Sequence, residues 1–108
     1  MAFAKDYVDV ATRIREFKRD YPDGSLQQVR LEFHTIGEQQ FVLYVAACFR
    51  TPDDPRPGIG SAWEPVPGKT PYTRDSEVMN AESSAWGRAI VAATGAETKA
   101  GGSIASLD

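Results

Sequence analysis

The sequence predicts an α+β fold: an N-terminal helix, an antiparallel three-stranded β-meander and a long C-terminal helix packed on the sheet, which together make a β-β-β-α core behind a leading helix. Three observations predict it. Apolar residues recur at three- and four-residue intervals near both ends of the chain, the middle carries short stretches of strand character, and proline- and glycine-rich clusters separate these stretches.

The first element rests on Phe3, Tyr7, Val10, Ala11, Ile14, Phe17 and Tyr21, which line one face of a helix from about residue 4 to 20. Asp6 and Asp9 near its start and Arg13, Arg15, Lys18 and Arg19 toward its end suit the helix dipole. Tyr21-Pro22-Asp23-Gly24 ends it, because proline cannot continue a helix and Asp-Gly favours a turn. From Gln28 to Thr35 the residues alternate, Val29, Leu31 and Phe33 against Gln28, Arg30, Glu32 and His34, which predicts a half-buried strand. After the polar connection Gly37 to Gln40, the run Phe41 to Phe49 is apolar at both parities. Such a strand belongs at the centre of a sheet, covered on both faces or buried against a neighbouring subunit.

Thr51 to Gly60, with three prolines and two aspartates, reads as a loop, and Ser61 to Glu64 as a short third strand stopped by Pro65 and Pro67. Pro65 to Arg74 is then an exposed basic loop. The last helix starts at an Asp75 or Ser76 cap, runs to about Thr94 and stops at Gly95. Val78, Ala81, Ala85, Ala89 and Ala92 make its packed stripe, widened by Trp86 and Ala93. Residues 1–95 are expected to form one core domain and 96–108, rich in glycine, alanine and serine, a flexible tail. With 108 residues, 42% of them hydrophobic, there is material for one core and too little for two.

Several function classes find no support. The longest apolar run is far shorter than the roughly 20 residues that cross a bilayer, so the chain reads as soluble and intracellular with no membrane partner. The single Cys48 excludes an internal disulfide and fits a reducing compartment. The only histidine, His34, has no evident nucleophile or orienting partner, and one histidine with one cysteine cannot close a zinc site. Asp53 and Asp54 read as carboxylates of a solvated turn. No phosphate-binding glycine loop is present. The expectation is a protein that is no enzyme and needs no metal or cofactor. A net charge of −3 also argues against a broad basic surface, so any phosphate contact has to be local.

The most specific segment lies in the last helix: Glu82-Ser83-Ser84-Ala85-Trp86-Gly87-Arg88-Ala89. It resembles the Glu-Thr-Ser-Ala-Ile-Gly-Arg-Ala helix of the Rad-fifty-two-like single-strand annealing proteins of phage type, and the element order resembles their β-β-β-α core. The similarity spans about Tyr7 to Ser106, including the Thr94-Gly95 stop and Ser103 to Ser106; only the helix is specific, the strands matching by pattern. The resemblance implies an oligomeric ring or helical filament in the cytoplasm of a bacterial host. It further implies sequence-independent binding of single-stranded DNA and annealing of complementary strands in recombination and repair, alongside a phage or host recombination protein.

Arg88 matches the motif's basic position, although Gly87 stands where eukaryotic members carry a second cation. Lys69 and Arg74 before the helix, and Arg50 and Arg56 after the second strand, are candidates for that missing charge by their place in the pattern alone. Independently of the family, Arg88 offers a forked donor for phosphate and Ser84, one turn earlier, a hydroxyl. Set against this, an arginine here is most often a surface residue or an ion-pair partner of Glu77 or Glu82. Ser83, Ser84, Ala85 and Gly87 would let a backbone or a phosphate approach closely. Of the aromatics suited to base stacking, Trp86 reads as core, Trp63 as half core and Tyr72 as the exposed one. The alternative is a protein-interaction module of phage origin that targets a host protein and binds no DNA, which the acidic balance favours.

Overall fold

A computed structural model describes residues 9–95. Its elements are α1 (Val10–Asp20), β1 (Ser25–Ile36), β2 (Gln39–Phe49), β3 (Gly58–Val66) and α2 (Glu77–Thr94). The strands form one antiparallel sheet in the order β1-β2-β3, with α2 packed on β3 and β2. This is the α+β arrangement read from the sequence. Phe3, Tyr7 and the expected helical positions before residue 9 lie outside the described residues, as does the expected tail 96–108.

α1 begins later than the apolar spacing suggests. Asp9 is its N-cap, accepting a hydrogen bond from the Thr12 amide at 2.8 Å, which satisfies one of the free N–H groups of the first turn. Phe17 is buried, with Ile14 and Tyr21 at the margin of the core. Two stripe assignments change. Ala11 is exposed, while Arg13, read only as a cation suited to the helix dipole, is 7% exposed, its Nη1 on the Glu16 carboxylate at 3.1 Å. A long aliphatic stem covers apolar surface as a core residue does, and residue-type spacing does not count it.

β1 is longer and barer than its alternation predicts. Gln28 pairs with Ala46 and Arg30 with Val45, so Val29 is an extra, bulged residue. After the bulge Leu31 and Phe33 share the helix-facing side with Leu26 and Gln28, and Arg30, Glu32 and His34 take the other. The expected half-burial is absent: Val29, Leu31 and Phe33 are 51%, 38% and 53% exposed, because α2 lies over the other two strands. The turn to β2 is only two residues, Gly37 and Glu38, with Gly37 at φ 63° where a hairpin's twist favours glycine.

β2 is central, as its doubly apolar sequence requires. Val42, Tyr44, Ala46 and Cys48 are buried beneath the helices together with Ala81, Ala85, Ala89, Ile90 and Phe17. Full burial of Val42 or Ile90 is worth roughly 1.5–3 kcal/mol each. The Tyr44 hydroxyl donates to the Glu82 carboxylate at 3.0 Å; burial, then the Glu82 carboxylate, raises the pKa of that phenol. Burial also pushes the Cys48 thiol up to about 11. On the opposite side Val45 and Ala47 are buried and Phe41, Leu43 and Phe49 half-buried, so β2 is covered on one face and partly open on the other.

β3 spans nine residues instead of the expected four. Gly58 to Gly60 had read as loop and Pro65 as a stop; an edge strand tolerates a residue without an N–H, and the glycines are required by what lies above them. α2 has Ser76 as N-cap and Gly95 in the left-handed region at φ 72°, its N–H on Val91 O at 2.9 Å. Its buried residues are Ala81, Ala85, Ala89 and Ile90, whereas Val78 and Ala92 of the expected stripe are exposed.

Candidate nucleic-acid interface

α2 rests on β3 almost backbone to backbone. A Cβ at Gly60 would strike the carbonyl of Ala85 and the amide of Ala89 and come within 2.8 Å of the Arg88 carbonyl carbon, and one at Gly58 would strike Ala89 and Ala93. The alanine stripe and the glycines of β3 are therefore one packing device. A Cβ at Gly87 would lie 3.3 Å from the Val10 methyl. Ala85 and Gly87, which the sequence offered as room for a phosphate, are accounted for by β3 and α1.

Arg88 thus has its backbone directly over the β3 edge strand and an exposed side chain. It makes no ion pair among the described residues. Both expected partners are occupied elsewhere: Glu77 accepts the Gly68 amide at 2.8 Å, and Glu82 holds Tyr44. Ser84, one turn before Arg88, is also exposed. Lys69 and Tyr72 lie in the connection between β3 and α2, Tyr72 being 90% exposed. Arg74 shares that connection and donates from Nε to Gly68 O at 3.3 Å.

Arg50 and Arg56 sit at the other end of α2. Arg50 places Nε on Asp54 Oδ2 at 2.8 Å and Nη2 on Oδ1 at 3.0 Å, with a further Nη2 bond to Arg56 O at 3.1 Å and Nη1 to Ala93 O at 3.4 Å. Asp54 also accepts the backbone amides of Arg50 and Arg56 at 2.9 and 3.0 Å. This carboxylate is buried, not the solvated turn group expected; the Arg50 fork, then the two amides, hold its pKa well below the usual carboxylate range. Arg50 fastens the β2–β3 connection to the end of α2, and its fork is already bonded. The Arg56 side chain is exposed.

The candidates therefore form no single cluster. They are strung along α2, with Lys69, Tyr72 and Arg74 at its start, Ser84 and Arg88 at its middle and Arg56 beyond its end. An 18-residue helix is roughly 27 Å long, so this is a track and not a pocket. Trp63, read as half core, is 52% exposed on the face away from α2, where it stacks on Phe41 with ring centroids 4.6 Å apart. The signal was present: Gly58, Gly60 and Ala62 mark the face under the helix, which leaves Ile59, Ser61 and Trp63 outside. Trp86 is half-buried against the core.

His34 meets Glu32 Oε1 at 2.8 Å and Arg30 meets the same carboxylate at 2.9 and 3.0 Å; Arg30, then His34, lowers the Glu32 carboxyl to about 2. Among the described residues no three potential ligands gather as a metal would need, and no helix is long and apolar enough to cross a membrane. No family model matches the chain, and neither a curated protein nor a solved structure does.

Proposed function

We propose that this chain is a subunit of an oligomeric single-strand annealing protein of the Rad-fifty-two-like type, binding single-stranded DNA by its backbone so that complementary strands can pair. The observation that carries the reading is Arg88: an exposed guanidinium with no ion-pair partner among the described residues, on the helix whose sequence resembles that family, at the border of α2 and β3. Lys69 and Arg74 at one end of the helix and Arg56 at the other extend a line of donors along which a phosphate backbone can lie. Arg50 drops out of the contact set because its fork is held by Asp54. Tyr72 is the base-stacking residue of this track.

Fluorescence anisotropy with labelled oligo-dT at two salt concentrations tests it. Salt-sensitive binding is expected, weakened about tenfold by Arg88→Ala, with a salt slope reduced by about one. Lys69→Ala and Arg74→Ala weaken binding and leave the thermal midpoint unchanged, since neither side chain supports the core. Absence of binding at low salt overturns the reading.

The apolar face of Trp63, Ile59 and Ile36 favours a second reading, a module of phage origin that docks on a host protein through that face. Low-salt titration separates the two, because this module binds no DNA.

A further inference from the structure

The connection between β2 and β3 carries an exposed cation on a backbone that is held from both sides. Arg56 stands between Pro55 and Pro57, and the proline after it disfavours the helical region for its own backbone. Its N–H donates to Asp54 Oδ1 at 3.0 Å, and its carbonyl accepts Arg50 Nη2 at 3.1 Å. Those two side chains are themselves clasped at 2.8 and 3.0 Å, with the Asp54 side chain only 3% exposed. The same guanidinium reaches Ala93 O in the last turn of α2 at 3.4 Å, so one side chain ties the Arg56 carbonyl to the helix of Arg88. The Arg56 guanidinium is exposed and has no partner among the described residues. A polar turn in water needs none of this: taking a carboxylate out of solvent is costly unless its bonds are complete, and one of the bonds that complete it here comes from Arg56 itself.

We infer that Arg50 and Asp54 are positioning residues for nucleic-acid binding: they hold Arg56 at a fixed place beyond the end of α2, where its guanidinium meets a backbone phosphate. The inference rests on the annealing reading and adds the device that sets one end of its track. A cation whose backbone is fixed before the phosphate arrives loses less conformational freedom on binding than one on a loose loop. The arrangement also accounts for an acidic group lying within a line of donors. Its charge is matched by Arg50 and shielded from solvent, so it does not oppose the phosphates.

The sign of one substitution separates this role from a purely structural one. Asp54→Asn removes a negative charge and frees the Arg50 fork, so electrostatics alone strengthens binding to a polyanion. Positioning predicts the reverse. In anisotropy titrations with labelled oligo-dT, run well below the thermal midpoint of each variant, Asp54→Asn is expected to bind about fivefold more weakly than the parent, and Arg56→Ala about tenfold. Added to Arg56→Ala, Asp54→Asn is expected to weaken binding no further. Arg50→Lys keeps the charge without the fork and is expected to give the same loss as Asp54→Asn; it carries the test if circular dichroism shows Asp54→Asn unfolded. A parent that binds no oligo-dT at low salt removes the annealing reading and this inference together. A parent that binds, while folded Asp54→Asn or Arg50→Lys binds as tightly or more tightly, overturns this inference alone. An equal loss from Asp54→Asn with and without the Arg56 side chain overturns it too, because the pair then acts through the fold and not through Arg56.

Discussion

β1 and β3 flank the same central strand, and both are edges, yet they are built oppositely. β3 gives up side chains: Gly58 and Gly60 let the backbone of α2 settle onto it, so its stability comes from close approach. β1 keeps large apolar side chains, Leu31 and Phe33, and nothing among the described residues covers them. The difference teaches that a strand's alternation declares which side of it is apolar, while its neighbours decide whether that side is buried.

The sharpest way to break this comparison is to add atoms to β3. Gly60→Val is expected to abolish cooperative folding, and Gly60→Ala to cost about 3 kcal/mol, because the added carbon meets helix backbone that cannot step aside. For a domain this small that is a fall of roughly 10–25 °C in the thermal midpoint, read by circular dichroism. Between those two glycine variants in size is Phe17→Ala, which empties the place where α1 joins the core, at about 3–5 kcal/mol by urea denaturation.

Asp54→Asn is expected to lower the thermal midpoint by less, since it loosens the β2–β3 connection and not the core, and its effect depends on pH. The folded carboxyl of Asp54 titrates below its unfolded value. Its contribution is therefore fully present above the unfolded carboxylate range, near pH 4, and is lost as pH falls from there through the folded value. Midpoints of parent and variant should differ at pH 7 and converge in acid. The smallest effect belongs to β1: Leu31→Ser should change stability by less than about 1 kcal/mol. A loss there as large as that of Gly60→Ala would mean that the two edges are not different after all.

Element order was legible because the periods of 3.6 and 2 are local. The cap at Ser76, the stop at Gly95 and the central place of β2 follow from nearby residues, whereas the start of α1 at the Asp9 cap was not read from them. What was hidden depends on contacts between distant segments. Pro65 read as a terminator because the pattern does not declare that β3 is an edge. Arg50 read as a free loop cation because Asp54 reaches it only after the chain has turned. Arg13 read only as a charge matched to the helix dipole, because its burial needs the helix pair assembled. Arg88 stood out by its place in the last helix, and its exposure came only with the fold.

Cys48, the one thiol in the sequence, lies within the core with its pKa pushed up to about 11 by burial. In neutral buffer it is neither ionised nor reachable, so an alkylating reagent can label it only in molecules whose interior has opened. The protein thereby carries its own chemical clock: the pace of labelling reports how often β2 comes free of the helices above it, with no added probe.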